Sequence, residues 1–204
     1  MLGNGDIDAV VDGRLKGARI YLDFPSVGAT ENILMAAVAA EGTTTIENAA
    51  AEPEIADLAM FLMSMGTEIF GAGTDSITVR GVNNFHAAQH SVMPDRIEAG
   101  SFMIASAITN GDIMINGVIP EHLKPLTAKL CEIGAHIEWL DHTVRVQGSD
   151  CYTATDVKTL PFPGFPTDMQ AQIMSLLSVS EGTGIVTETI FENRFMHAPE
   201  LCRM

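Results

Sequence analysis

Phe24-Pro25-Ser26-Val27-Gly28-Ala29-Thr30-Glu31-Asn32 has a counterpart at Phe165-Pro166-Thr167-Asp168-Met169-Gln170-Ala171-Gln172. Each is an extended, proline-containing turn that feeds an apolar helix. Each helix then ends in Glu-Gly, Glu41-Gly42 and Glu181-Gly182, before a β-branched run. The pair lies about 140 residues apart with a third copy between, so the chain repeats with a period of about 70. Two helix starts carrying different side chains suggest a site assembled between repeats.

The first repeat predicts the order β-α-β-α-β-β. Arg19–Asp23 reads as a strand, 28–40 as a helix, and Thr43–Glu47 as a second strand. Ile33, Leu34, Ala37 and Val38 mark the apolar face of that helix. Pro53 opens a second helix, where its missing N–H is harmless, and Gly66 closes it. Short strands follow at Glu68–Phe70 and Ser76–Arg80. The second repeat is expected to keep the same order. Its helices span Ile97–Thr109 and the run through Leu123, Leu126, Leu130 and Ile133, and its strands Ile113–Ile115, His136–Trp139 and Val144–Val146. A third repeat starts near Val157, continues through Met169–Val179 and Gly184–Thr187, and breaks off within its second helix. Ile7–Val11 reads as the last strand of a preceding unit. The chain is therefore expected to be a fragment, with a domain boundary at Ser91–Pro94.

The chain has 204 residues, 47% of them hydrophobic, enough to build a core. Its net charge of −15 argues against duplex nucleic acid, which needs a basic face to displace counterions. A small anion is still compatible, because helix N-termini and a few local cations outweigh a distant field. Residues 1–20 carry charges throughout, so no signal peptide is expected. The apolar run Ile33–Ala40 is too short to span a bilayer. Cys131, Cys151 and Cys202 form no CxxC pair and point to a reducing cytoplasm.

Ser26–Thr30 reads either as a helix cap with small residues or as an anion site at free backbone N–H groups. Asp168 reads either as a helix cap, with Thr167 competing, or as a carboxylate accepting a proton from a substrate hydroxyl. Arg194 sits where the repeat demands a strand-to-helix loop, and loops carry function; Arg96 reads as a surface or ion-pair residue. His86 and His90 have the i, i+4 spacing of a helical zinc pair but no third ligand nearby, so no metal is expected. The twelve methionines read as core packing and Cys131 as structural.

The stretches VDGRLKGARI, DFPSVGAT, EGTTTIENAA, EPEIADLAMFLMSMG, PDRIEAGSF, FPTDMQAQ and TETIFENRFMHAPEL resemble the UDP-N-acetylglucosamine enolpyruvyl transferase (UDP-N-acetylglucosamine 1-carboxyvinyltransferase) family. The resemblance runs in order from Val11 to Met204. It implies an α/β (α+β) fold of repeated βαβαββ units, an inside-out barrel of two domains with the active site between them. Residues 1–93 would then be the C-terminal part of the first domain, with one complete unit. Residues 94–204 would be the N-terminal part of the second, with one complete and one truncated unit. The implied reaction moves enolpyruvate from phosphoenolpyruvate to the 3′-hydroxyl of UDP-N-acetylglucosamine and releases phosphate, with no cofactor. It is the first committed step of bacterial peptidoglycan synthesis, and so bears on cell wall, cell shape and division.

By the same resemblance, Asp168 is the base toward the sugar hydroxyl. Ser26, Val27 and Gly28 hold the diphosphate, and Phe24 and Pro25 line the substrate where some members carry a lysine. Ile190 contacts the nucleotide sugar, and Arg194 lies beside it in the cleft. The family's Lys-Asn pair, its mobile loop with a reactive Cys and an arginine, and a C-terminal arginine have no match here, so the chain alone is expected to be inactive and marginally stable. The related 5-enolpyruvylshikimate 3-phosphate synthase and a non-catalytic repeat module are the alternatives. FPSVGAT and FPTDMQAQ together favour the nucleotide-sugar enzyme.

Overall fold

The computed structural model describes residues 8–204. The chain divides into two compact units, one ending at Val92 and one covering Met93–Met204. In the first, β1 (Arg19–Tyr21), α1 (Val27–Val38), β2 (Thr43–Glu47), α2 (Pro53–Ser64), β3 (Glu68–Phe70) and β4 (Ser76–Arg80) follow the expected order. The sheet runs β1-β2-β4-β3. β1 and β2 are parallel, with Arg19 opposite Thr45. β4 lies antiparallel to both β2 and β3, so that Arg80 faces Thr43 on one side and Glu68 on the other.

Alternation along the strands decides which face is buried. Thr44 and Ile46 of β2, and Ile77 and Val79 of β4, point inward against Leu34, Ala37, Ile55 and Ala59 of the helices. Ile33 is only partly buried, and the fully enclosed Thr30 takes the place expected for it. The Thr30 hydroxyl donates to the Ser26 carbonyl and accepts from the Ala50 amide, at 2.8 and 3.0 Å, tying the start of α1 to the chain beyond β2. At the other end of α1, the Arg14 guanidinium donates to the carbonyls of Ala39, Ala40 and Val82. A cation there also suits the negative end of the helix dipole.

The second unit contains α3 (Arg96–Ile108), β5 (Asp112–Asn116), a 3₁₀ turn (Pro120–Leu123), α4 (Lys124–Ile133), β6 (His136–Leu140) and β7 (Thr143–Gln147). It continues with β8 (Val157–Lys158), a 3₁₀ turn (Thr167–Met169), α5 (Gln170–Leu177), β9 (Val186–Thr187) and α6 (Ala198–Arg203). β5-β7-β6 form an antiparallel sheet, and β8 pairs parallel with β9. Leu123, Leu126, Leu130 and Ile133 lie in the core as their spacing predicts, together with Met103, Val144, Val146, Ile173 and Leu176. α3 packs on α5, and Gln172 donates to Ser101 at 3.0 Å across that contact.

The repeat is visible in the hydrogen bonds. Glu41 forms a parallel bridge with Lys16, and Glu181 forms one with Thr153. Each is followed by a left-handed glycine, Gly42 at φ +91° and Gly182 at φ +99°.

Three expectations change. No strand precedes α3, because residues 84–95 lack regular structure; the second repeat therefore starts at its helix. Residues 8–11 form no strand, and Ile7 lies outside the described residues. The mixed α/β fold is as expected, with a four-, a three- and a two-stranded sheet and no closed barrel among the described residues. Most methionines are not in the core: Met103 and Met169 are buried, whereas Met35, Met60 and Met63 lie on the outward faces of α1 and α2. An amphipathic helix buries only one stripe, and these three fall off it.

Gly81 donates to the Gly42 carbonyl at 3.0 Å, and a Cβ there would fall 1.9 Å from the Ala40 carbonyl oxygen. Backbone cannot give way as a side chain tip can, so Gly81→Ala should destabilise the first unit by about 1–3 kcal/mol in urea unfolding. Gly28, whose Cβ would meet nothing within 4 Å, provides the contrast. Gly28→Ala should stay within about 0.5 kcal/mol of the parent.

Candidate functional site

The turn ahead of α5 is fixed from three sides. Thr167 and Asp168 belong to the 3₁₀ turn, with Pro166 extended before it at φ −72° and ψ 135°. Asp168 is thus inside a turn and makes no cap hydrogen bond, which removes its reading as a helix cap. Its carboxylate instead accepts from Arg194 Nη2 at 2.7 Å, across 26 residues of chain. Arg194 Nη1 donates to the Thr167 hydroxyl at 3.0 Å, and the guanidinium lies 5.0 Å from the centre of the Phe191 ring. Asp168 Oδ1 is occupied by Arg194, while Oδ2 has no partner among the described residues. Both side chains are partly exposed, 54% for Asp168 and 34% for Arg194, so an incoming ligand can reach them. They line a cavity of about 250 Å³ with Thr167, Gln170, Ala171, Met196 and His197.

The loop that carries Arg194 is anchored by Glu188. This half-buried carboxylate accepts from the Thr159 and Thr167 hydroxyls, both at 2.9 Å, and from the amides of Ile190 and Phe191 at 2.8 and 3.3 Å. Burial alone would raise its pKa. The donors lower it further than burial raises it: the Ile190 amide first, then Thr167, Thr159 and the Phe191 amide. Thr167 is the joint, since it donates to Glu188 and accepts from Arg194. Ile190 is held in this loop and does not line the cavity. Glu188 was not singled out from the sequence; its only signal is an acidic residue between two threonines, Thr187 and Thr189, at the end of a strand.

In the first unit, Ser26 caps α1, its hydroxyl accepting from Ala29 at 3.3 Å. The Ser26 amide turns back to the Phe24 carbonyl at 2.7 Å, which pulls Phe24 and Pro25 over the helix start. The amides of Val27 and Gly28 have no partner among the described residues, and the first turn holds no acidic side chain. Gly28 is exposed, with open space where a side chain would be. Such a start favours an anion through free donors and the helix dipole.

The remaining candidates resolve differently. His86 and His90 do not lie on a helix, so their spacing does not bring them to one face. The His90 ring meets Asp57 at 3.1 Å instead. No cluster of three metal-ligating side chains occurs among the described residues. Arg96 stacks on the Phe162 ring at 5.5 Å. All three cysteines are free thiols; burial pushes Cys131 up, and the Glu181 charge, then burial, pushes Cys151 up. No helix among the described residues is long and apolar enough to cross a membrane.

The sequence profile of the EPSP synthase (3-phosphoshikimate 1-carboxyvinyltransferase) family matches residues 3–204, and the chain belongs to that family. It is 57% identical over 203 residues to UDP-N-acetylglucosamine 1-carboxyvinyltransferase 1 of Halalkalibacterium halodurans, covering all of this chain and 46% of that protein. It is 56% identical over 203 residues to the protein of the same name from Caldanaerobacter subterraneus subsp. tengcongensis, again covering all of this chain and 49% of the relative. The chain thus spans about half the length of the curated relatives it matches. Among solved structures, the enolpyruvyl transferase NikO from Streptomyces tendae shares the fold at TM-score 0.81 and 23% identity, over 92% of this chain and 47% of that one. EPSP synthase from Acinetobacter baumannii follows at TM-score 0.59 and 20% identity, over 85% and 41%.

Because the folded pKa of Glu188 is lowered, its contribution to stability is present above the ordinary carboxylate range and is lost as pH falls through the folded value. Glu188→Ala leaves two hydroxyls and two amides without their acceptor and should cost roughly 1–3 kcal/mol at neutral pH. Melting curves of parent and variant should converge as pH drops below about 4. A constant gap across that range would show that the loop does not depend on the ionised carboxylate.

Proposed function

We propose that this chain, as a member of the EPSP synthase family, forms part of an enolpyruvyl transferase that joins phosphoenolpyruvate to the 3′-hydroxyl of UDP-N-acetylglucosamine. Two curated relatives carry that sugar nucleotide in their names, and their identity to this chain is far above the level at which only fold is shared. On this reading residues 1–93 and 94–204 belong to two domains of the whole transferase. The reaction is the first committed step of bacterial peptidoglycan synthesis, and so governs cell shape and division from the cytoplasm.

The observation that carries the chemistry is the Asp168 carboxylate on the cavity wall, with one oxygen held by Arg194 and the other free. A carboxylate is a weak base for an alcohol in the ground state. It becomes effective as the new carbon–oxygen bond forms and the hydroxyl turns acidic. Arg194 then fixes the direction of the base. Thr167 and Glu188 fix Arg194 in turn, so the free oxygen is presented without a search over rotamers. The diphosphate is assigned to the Ser26–Gly28 helix start, where the Val27 and Gly28 amides are its donors and Phe24 and Pro25 flank it. Ile190 and Arg194 are assigned to the nucleotide-sugar side.

In the complete transferase, Asp168→Asn keeps the shape and removes the base. It should lower kcat by roughly 10²–10⁴ and change UDP-N-acetylglucosamine affinity far less. Near-normal turnover would dismiss Asp168 as the base, and turnover of shikimate 3-phosphate in place of the sugar nucleotide would move the enzyme to the other branch of the family.

Gly28→Val crowds the helix start without touching the core. Calorimetry should show weaker binding of both UDP and UDP-N-acetylglucosamine with an unchanged melting temperature. Unaltered affinity would remove the diphosphate from this turn.

A further inference from the structure

The chain contains the pair Asn-Gly three times, beginning at Asn4, Asn110 and Asn116. Asn4 lies outside the described residues. The other two sit in opposite settings. Asn110 follows α3 and is clamped: its carboxamide donates to Asp150 at 3.1 Å, and a Cβ at Gly148 would fall 2.4 Å from its Cα. The next amide, that of Gly111, donates to the Ser106 carbonyl at 2.8 Å. Asn116 is exposed and ends β5, an edge of the β5-β7-β6 sheet among the described residues. The Gly117 amide has no acceptor among the described residues, and nothing lies within 4 Å of where a Gly117 side chain would be. The Thr143 hydroxyl donates to Asn116 Oδ1 at 3.0 Å, while Nδ2 has no partner among the described residues.

We propose that Asn116-Gly117 is a site of self-modification, at which the Gly117 nitrogen attacks the Asn116 carboxamide. Solvent hydroxide removes the Gly117 N–H proton. The nitrogen then bonds to Asn116 Cγ, the Cγ–Nδ2 bond breaks, and ammonia leaves with a proton from water. Water opens the resulting cyclic imide. Attack at Cγ gives aspartate; attack at the backbone carbonyl breaks the original peptide link and gives isoaspartate. The balance is water in and ammonia out, with no oxidant or cofactor. The setting favours it. The nucleophile is already tethered beside its target, glycine puts no side chain in the way, and strand ends open at low free energy. Thr143 stabilises the negative charge that grows on Oδ1 during attack. At Gly111 the same attack must first give up a bond to a carbonyl, which corresponds to about a tenfold slower rate. Isoaspartate lengthens the main chain by one carbon just ahead of Val118, which is 3% exposed and whose amide donates to the His142 carbonyl at 3.0 Å. Aspartate alone is compatible with the fold, since Glu47 holds the equivalent end of β2 before the same left-handed corner, Asn48 at φ +54° against Gly117 at φ +72°. The isoaspartyl form therefore pulls this anchor out of register and loosens the second unit.

The test holds the full-length protein at mildly alkaline pH and follows the Asn110 and Asn116 peptides by mass and by labelling with a protein isoaspartate methyltransferase. Asn116 should convert about tenfold faster than Asn110 in the folded protein, and the two rates should agree within about twofold in urea. Thr143→Val should slow conversion of Asn116 by roughly three- to tenfold. The melting temperature of the parent should fall as isoaspartate accumulates, while Asn116→Gln held alongside should keep its own. Equal rates in the folded protein, or a faster one at Asn110, overturn the proposal. So does a preference for Asn116 that persists in urea, because it would then come from local sequence and not from the fold. An unchanged rate in Thr143→Val overturns the part given to that hydroxyl, and a parent that accumulates isoaspartate without melting lower overturns the structural consequence.

Discussion

One carboxylate organises the cavity side of the second unit. Glu188 sits at the end of β9 and gathers donors from two directions, hydroxyls on the β8 side and amides in its own loop. A half-buried anion that loses these donors recovers only part of that solvation from water, so keeping them is favourable. Everything downstream follows from that anchoring. The loop carrying Arg194 cannot swing away while the Ile190 and Phe191 amides are fixed. Arg194 therefore stays on Thr167 and Asp168, and the cavity beside α5 keeps its wall.

The repeat explains how one fold carries two kinds of site. α1 and α5 each connect a pair of parallel strands, and each is followed by an equivalent left-handed glycine. Their starts diverge. Ser26 caps α1 cleanly, leaving backbone donors outward and no acidic residue in the first turn. At α5 a 3₁₀ turn displaces the cap and lifts an acidic side chain, Asp168, into the cavity. The same scaffold thus presents outward backbone donors in one copy and an acidic side chain in the other.

Most of the fold was legible because local periodicity and long-range pairing agree. Thr43–Glu47 alternates cleanly and is a strand over those residues; Leu123, Leu126, Leu130 and Ile133 keep helical spacing and all are buried. The missing strand before α3 was not legible, because symmetry predicted it and the residues did not. Asp168 and Arg194 stood out one at a time, from a turn and from a polar loop. Their pairing across 26 residues is a property of the β8–α5–β9 crossover and has no local signature. Glu188 was silent for the same reason: two of its four donors, Thr159 and Thr167, lie 29 and 21 residues away along the chain.

The distribution of the methionines gives the chain a chemical record of its own folding. Met35, Met60 and Met63 present thioethers to solvent, while Met103 of α3 and Met169 of the turn before α5 are sealed in the core of the second unit. Peroxide converts an accessible thioether to a polar sulfoxide and passes over one it cannot reach. The outer three can therefore oxidise with the fold intact. Sulfoxide at Met103 or Met169 marks molecules whose core has already opened, and its bulk and polarity then hinder reclosure, because Met169 fills the space against Gly100. Oxidation thus has two stages, an early one at exposed thioethers and a terminal one in the interior.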